Sequence, residues 1–509
     1  MSELREDFVL AEKIIKGKYF IHVIVILCLF LGLFGIKNSS LIDWDEGVFS
    51  LQAQWLSSIG AQGKPFNFQT PPLYQTLIAV LFKCFGTNAH LIMFLSLFFS
   101  LITIYTIFYF IKKLYSERLA VYTTLLFVTT EYFLFFFKSG LSEATFLFFF
   151  TTAVLSFLNG CKNRNSRSFL LSGAATTLAL YTKYSAFPLL LIFLIIGFRH
   201  RKRINGKWFL LTIILPLLLF LPYLYLFIRV VSISGIGSRH ATLLGFNHTK
   251  FLIYLATFAP VPLLFTLLYI IIRNKEQKKE WDVLICLLVF FAILGFYHPY
   301  FRLAYPMVPF LALLSAQLVL RIKGAARTAV ISVALILSLI LSVKTITYKS
   351  RIPERIGELV EFHRRENNLH YIYTIVPPNI DFYINHPILI PTGHNWLEIG
   401  GKFPVLLKKK KVIHPDNNEL INEKKVLLLH ATIFDSFKEK HPELYQRAVL
   451  LETVEFKDAP VYYKDIFNPQ KDIKQIYELY LFDVKELGES VAELWNLGFE
   501  KKVTVMAAE

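Results

Sequence analysis

Tyr19-Phe-Ile-His-Val-Ile-Val-Ile-Leu-Cys-Leu-Phe-Leu-Gly-Leu-Phe-Gly-Ile36 decides how this chain folds. The run carries no Asp, Glu, Lys or Arg, and its length is close to the roughly 20 residues a helix needs to cross a bilayer. Lys13, Lys16 and Lys18 precede it and no small-residue cleavage site comes after it. Such a segment predicts an uncleaved signal anchor with its basic end in the cytoplasm. The next stretch, Leu41-Ile-Asp-Trp-Asp-Glu-Gly-Val-Phe-Ser50, then falls outside and sets three carboxylates, Asp43, Asp45 and Glu46, at the lip of the membrane.

The rest of the composition agrees. With 55% hydrophobic residues and 49 Phe in 509 residues, and a mean hydropathy of +0.49, the chain is too apolar for a soluble protein of its size. Further spans are predicted at 90–111, 119–137, 143–158, 168–182, 186–198, 208–231, 251–272, 281–297, 303–320 and 327–346, giving about 11 helices in all. The connections after the even-numbered spans carry Lys112, Lys113 and Arg118; Lys162, Arg164 and Arg167; Arg199 to Lys207; Arg273 to Lys279; and Arg321, Lys323 and Arg327. Each is basic, and the opposite loops are poor in cations, as the positive-inside rule requires. The formal charge of +17 is therefore spread over membrane-flanking clusters, a pattern that argues against nucleic acid as a partner. Cys28, Cys84, Cys161 and Cys286 lie in or beside apolar runs and suggest neither disulfides nor a thiolate metal site.

From Tyr348 onward charges appear throughout and prolines punctuate short apolar runs. Residues 1–347 therefore read as a polytopic, mostly α transmembrane bundle with its first outer loop at 37–89, and residues 348–509 as a small soluble α/β domain. Tyr371-Ile-Tyr-Thr-Ile-Val376 and Val426-Leu-Leu-Leu-His430 read as buried strands, and Glu354 to Glu366 and Ile473 to Leu487 as helices. An odd number of spans sets this domain on the same side as Asp45, outside a plasma or inner membrane. Lys408 to Lys411 reads as a solvated face.

In the first outer loop Val48, Leu51, Trp55 and Ile59 recur at helical spacing, with Gln52, Gln54, Ser57 and Ser58 off that stripe. This predicts an amphipathic helix on the membrane surface. Asp45 then has two readings, as the N-cap of that helix or as a group that does chemistry. Further along, Lys138-Ser-Gly-Leu-Ser-Glu143 sets Glu143 at the outer end of a span, where an acid is a helix-dipole partner or a functional group. Lys183, in Tyr181-Thr-Lys-Tyr-Ser185, and Arg302, in His298-Pro-Tyr-Phe-Arg302, are cations on the side where positive-inside disfavours them. Snorkelling to lipid phosphate is their simplest alternative use. Glu131 lies within the third span and is given no role.

These pieces in this order resemble the GT-C type membrane glycosyltransferases that take sugar from polyprenyl-phosphate sugars, among them protein O-mannosyltransferases and lipid A aminoarabinose transferases. Asp45-Glu46 is similar to that family's Asp-Glu pair, and Gln69-Thr-Pro-Pro-Leu-Tyr74 to its Pro-Pro-Leu segment. Glu143 falls where the family carries a second acid, and Leu180-Tyr-Thr-Lys-Tyr-Ser-Ala186 resembles its Thr-Lys turn. Arg302-Leu-Ala-Tyr-Pro-Met-Val-Pro309 resembles its Arg-Tyr-x-x-Pro-x-x-Pro helix start. Thr70, Lys138 and Leu303 depart from the usual Lys, Arg and Tyr.

The resemblance implies an inverting transfer in which an acceptor hydroxyl or amine, on a protein or on lipid A or another glycolipid, attacks the anomeric carbon and the lipid phosphate leaves. Asp45 is then the base, with Glu46 or Glu143 orienting acceptor or sugar, and Lys183 and Arg302 meet the charge on the phosphate. A divalent metal between Asp45 and Glu143 is the other way to meet that charge, since carboxylates suit hard cations; the sequence leaves this open. A lipid-linked-sugar transporter or flippase fits the topology, but its site is expected at the midplane, whereas these charges sit at the outer lip. A non-catalytic envelope assembly protein would make the acids dispensable.

The topology has a direct check: reporter fusions at Arg203 and Glu509 are expected to report opposite compartments, Arg203 cytoplasmic and Glu509 outside. Both on one side would remove the proposed arrangement.

Overall fold

The computed structural model describes residues 19–57, 70–202, 204–231, 245–272, 280–296, 300–347, 351–369, 372–384, 388–390, 405–408, 411–413, 425–432, 435–440, 442–456 and 475–483. Lys13, Lys16, Lys18, Ser58, Ile59, Gln69, Arg203, His298, Lys409, Lys410, Glu509 and the connection 273–279 lie outside them. The helices are α1 (Phe20–Lys37), α2 (Trp44–Ser57), α3 (Leu73–Phe85), α4 (Ala89–Leu114), α5 (Glu117–Val128), α6 (Glu131–Phe136), α7 (Glu143–Asn163), α8 (Ser166–Thr182), α9 (Pro188–Arg199) and α10 (Gly206–Val231). After them come α11 (His248–Phe258), α12 (Pro260–Ile272), α13 (Trp281–Leu294), α14 (Val308–Arg321), α15 (Gly324–Thr347), α16 (Ile352–Glu366) and the short α17 (Pro378–Asp381). Contacts divide the chain into two compact units, one of residues 1–37, 68–74 and 92–347 and the other of 38–67, 75–91 and 348–509.

In the first unit, six helices among the described residues are long and apolar enough to cross a membrane: Phe20–Lys37, Ala89–Leu114, Glu143–Asn163, Gly206–Tyr225, Phe301–Arg321 and Gly324–Val343. The protein is a multi-pass membrane protein. Other expected spans fold as shorter pieces for local reasons. The run 119–137 breaks after Val128 because the Thr130 hydroxyl accepts the Phe133 N–H and caps a new helix, α6. The run 251–272 bends by 115° between α11 and α12, where Pro260 and Pro262 cannot donate to the preceding turn. The run 281–297 holds only the 14 residues of α13.

At the centre of this unit lies α7. Two polar contacts tie it to α8: Asn159 Nδ2 donates to Ser168 Oγ at 2.6 Å and the Ser172 hydroxyl to the Ala153 carbonyl at 2.8 Å. Gly160 admits the Phe169 ring to within 3.0 Å of where a Cβ would stand, the small-residue contact that lets membrane helices approach. Phe157 of α7 and Phe193 of α9 stack at 4.3 Å.

The second unit is built on a seven-stranded sheet of order β4-β3-β2-β1-β5-β7-β6. Its strands are β1 (Ile372–Ile375), β2 (Ile388–Ile390), β3 (Val405–Lys408), β4 (Lys411–Ile413), β5 (Lys425–Ala431), β6 (Val449–Phe456) and β7 (Gln475–Asp483). The run β2-β1-β5 is parallel and the outer strands are antiparallel. Both expected strands are present, as β1 and β5, buried along β1 and along β5 after the exposed Lys425; Tyr371 lies outside the described residues. Within the helix expected at Ile473–Leu487, the described residues Gln475–Asp483 are instead the strand β7: their aromatic and aliphatic side chains suit a strand held between β5 and β6, and Tyr477 and Leu479 alternate toward the core. Lys408 and Lys411 face each other as a cross-strand pair.

The acidic turn and α2 pack within this second unit. Leu41 N–H donates to the Tyr383 hydroxyl at 2.8 Å, and Asn379 Nδ2 donates to the Leu41 carbonyl at 3.3 Å. Gly47 lies against the backbone of Pro378 and Asn379, so that a Cβ there would stand 2.1 Å from the Asn379 nitrogen. The Phe82 ring of α3 stacks on Phe382 at 6.1 Å. The expected surface helix is thus enclosed: Ser50, Leu51, Gln52 and Ala53 are all buried, and Gln52 accepts from Gln75 at 3.1 Å.

Because the obstruction at Gly47 is backbone, it cannot swing aside. Gly47→Ala is expected to destabilise the protein by at least about 1–3 kcal/mol, as overpacking does, read as a lowered unfolding midpoint in detergent. An unchanged midpoint would mean that α2 does not press on the Pro378–Asn379 backbone.

Candidate functional site

The acidic turn is ordered by its own carboxylates. Asp43 Oδ1 accepts the Asp45 N–H at 2.8 Å, and Glu46 Oε2 reaches back to the N–H groups of Ile42 and Asp43 at 2.6 and 3.0 Å. This is a capping box with Asp43 as N-cap and Glu46 three residues on. The capping role that the sequence allowed for Asp45 therefore belongs to Asp43. Glu46, 1% exposed, spends one carboxylate oxygen on two backbone donors. Asp45 contributes its N–H to the box and stands half-buried in the first turn of α2. The strap to 377–384 holds this turn from the other side, and burial pushes the Tyr383 phenol well above its ordinary range, with the charge of Glu46 adding to the effect.

In the first unit the other expected residues meet. Glu143 opens α7, Lys183 comes just after the last turn of α8, and Arg302 lies in the 3₁₀ turn Phe301–Met307 that leads into α14. The Lys183 ammonium pairs with Glu143 Oε1, and Arg302 Nε lies 3.6 Å from that same oxygen. Glu143 is 2% exposed; the two cations keep about a fifth of their side chains open, at 17% and 20%. One carboxylate serves two cations, and the trio carries a net charge of about +1 in a partly desolvated place. Arg302 also lies over the Tyr300 ring, 5.3 Å from its centroid.

The turn before Glu143 is pinned. Tyr74, fully buried at the end of the Pro-Pro-Leu segment, donates to the Gly140 carbonyl at 2.7 Å, and Ser96 donates to Leu141 O at 3.1 Å. Lys138 donates to the Thr345 carbonyl at 2.9 Å, and the Thr345 hydroxyl donates to Glu131 at 2.5 Å. Lys138 and Glu131 thus brace the end of α15. Several polar atoms beside the trio, by contrast, are buried with no hydrogen-bond partner: Glu143 Oε2, Ser142 Oγ, Ser185 Oγ and Tyr305 Oη. Sequence reasoning missed Asp43 as cap and Tyr305 altogether; the D-x-x-E spacing was the signal for the first, and the distance of three residues from Arg302 in a proline-bounded turn for the second.

Among the described residues no group of three or more His, Cys, Asp or Glu side chains is arranged to hold a metal.

The resemblance drawn from the motifs is supported by comparison with known proteins. Residues 69–226 match the model of the dolichyl-phosphate-mannose-protein mannosyltransferase family. The fold is that of ArnT from Cupriavidus metallidurans bound to undecaprenyl phosphate, with TM-score 0.65 and 12% identity over 91% of this chain and 98% of that one. It is shared, at TM-score 0.50 and 12% identity over 96% of this chain and 78% of that one, with the oligosaccharyltransferase AglB of Archaeoglobus fulgidus in complex with an inhibitory peptide and a dolichol-phosphate. A search of curated proteins by sequence finds no match.

Removing the shared carboxylate should be costly. Glu143→Gln is expected to destabilise the first unit by up to about 3–5 kcal/mol, because it removes the buried carboxylate that both cations share, whereas Lys183→Met should cost less, since Arg302 still serves Glu143. Thermal unfolding in detergent reads both. Glu143→Gln as stable as wild type would mean that the trio is not an ion-paired unit.

Proposed function

We propose that the chain is a membrane glycosyltransferase that moves a sugar from a polyprenyl-phosphate donor to a hydroxyl or amine of a protein or glycolipid acceptor on the outer face of the membrane. The observation that carries this reading is the Glu143–Lys183–Arg302 trio. A net positive charge is gathered from three turns far apart in sequence, on a fold shared with a protein solved with undecaprenyl phosphate.

In this reading the acceptor attacks the anomeric carbon. A new carbon–oxygen or carbon–nitrogen bond forms, the bond from that carbon to the phosphate oxygen breaks, and its electron pair leaves with the phosphate. Lys183 and Arg302 meet that charge as it develops; Glu143 keeps both side chains extended and aligned, so little reorganisation is needed at the moment of transfer. The acceptor proton goes to Asp45. Glu46 serves by holding the turn, because its carboxylate already caps the backbone. The sugar inverts because one displacement occurs.

The test is transfer from a polyprenyl-phosphate sugar by purified variants. Asp45→Asn should accumulate and fold as wild type, since Asp43 is the cap, while losing at least about a hundredfold in transfer, within the roughly 10²–10⁴ that a general base contributes. Arg302→Ala should weaken donor use by about ten- to a hundredfold, the worth of a charge-assisted bond to phosphate. Near-normal turnover by Asp45→Asn would leave the mechanism without its base, and normal donor use by Arg302→Ala would reduce that cation to a lipid anchor.

A further inference from the structure

Tyr305 has a well-fixed ring and an unfixed hydroxyl. The ring is 1% exposed and held among aromatic neighbours, with Phe136 at 4.7 Å, Tyr132 at 5.8 Å and Phe127 at 6.5 Å. Its hydroxyl, fully buried, makes no hydrogen bond. In such a setting Phe would pack as well without a stranded polar group, so the hydroxyl calls for a partner that binds from outside the chain.

Tyr305 is one turn beyond Arg302 in the segment Phe301–Met307. In a 3₁₀ helix, with three residues per turn, side chains three apart eclipse. The Tyr305 side chain therefore leaves the turn on the same face as Arg302, whose guanidinium approaches Glu143 to 3.6 Å, and the Glu143 carboxylate acts electrostatically on the phenol. Both cations address Glu143 Oε1; Oε2 is buried and without a partner. The trio thus presents two cations for an anion and, separately, one buried acceptor and one buried hydroxyl that no anion satisfies. A carboxylate oxygen accepts only, so its missing partner must donate. A phenol can donate or accept.

We infer that Glu143 Oε2 and the Tyr305 hydroxyl form a subsite for a carbohydrate hydroxyl of the donor sugar, which donates to Oε2 and accepts from Tyr305. This rests on the glycosyltransferase reading and adds to it a division of labour: Lys183 and Arg302 take the phosphate, while Glu143 Oε2 and Tyr305 take the sugar. Tyr305 is then a specificity-determining residue, because a site built to bond a hydroxyl leaves its own groups stranded with a donor that lacks it.

The experiment uses full-length protein in detergent with two ligands, undecaprenyl phosphate alone and the member of a panel of polyprenyl-phosphate hexoses and pentoses that wild type transfers. Tyr305→Phe removes only the oxygen and should fold at least as well as wild type. It should bind undecaprenyl phosphate as wild type does and lose roughly tenfold or more in kcat/KM with the sugar donor. Deoxy analogues of that donor supply the decisive arm: one of them should cost wild type about as much as the substitution does, and cost Tyr305→Phe little further, since the two changes delete one bond. Normal transfer by Tyr305→Phe, equal loss with undecaprenyl phosphate alone, or full additivity with every deoxy analogue would overturn the subsite. A wild type that transfers no sugar in the panel but binds undecaprenyl phosphate would instead overturn the transferase reading, and the subsite with it.

Discussion

One buried carboxylate oxygen carries much of the first unit. Glu143 Oε1 takes Lys183 and Arg302, which arrive from turns 40 and 159 residues farther along the chain. An ion held at 2% exposure can persist only if paired, because the unpaired charge would cost several kcal/mol. The surrounding packing therefore has to bring both cations to it. The hydrogen bonds from Tyr74 and Ser96 to the turn before Glu143, and from Lys138 to the end of α15, meet that requirement: they fix the start of α7 so that its first side chain arrives where two cations converge. An arrangement that is costly for stability alone is well suited to a pre-set electrostatic site.

The second unit solves a different problem, that of ordering an acid-rich turn through its own backbone. It spends two of the three carboxylates on backbone N–H groups. Asp43 accepts the Asp45 N–H and Glu46 accepts those of Ile42 and Asp43, which places negative charge at the helix end that favours it. The third, Asp45, is carried along in a fixed frame. Tyr383 and Asn379 then grip Leu41 by its main chain, a contact indifferent to the side chain gripped.

Much of this was legible beforehand. Apolar runs and loop charges gave a multi-pass bundle, and the expectation that Lys183 and Arg302 are cations on the disfavoured side marked two residues that the structure brings together with Glu143. What escaped depends on neighbours distant in sequence. The stripe Val48, Leu51 reads as amphipathic because nothing local reveals that Gln52 finds Gln75 and that Gly47 presses on Asn379. Ile473–Leu487 carries a charge every few residues, as an exposed helix does, and its described part, Gln475–Asp483, is a strand because β5 and β6 pair with it. Thr130 divides a long apolar run that hydropathy cannot divide, because its cap is a single hydroxyl. Tyr305 was hidden by ordinariness: a tyrosine in an aromatic core draws notice only when its oxygen is found to have no partner.

The grip on Leu41 has a consequence for how the protein is made. Leu41 and Tyr383 are separated by 342 residues, and synthesis runs at about 5–20 residues per second. The acidic turn therefore emerges tens of seconds before the segment that will hold it, and by then the intervening helices have already entered the bilayer. During that interval α2 has its capping box but lacks the wall against which Gly47 closes. Nascent or truncated chains thus carry Asp45 on an unsupported turn, and the late-made domain works as a completeness check: only a chain translated to at least the β1 strand and beyond can set its acid in place.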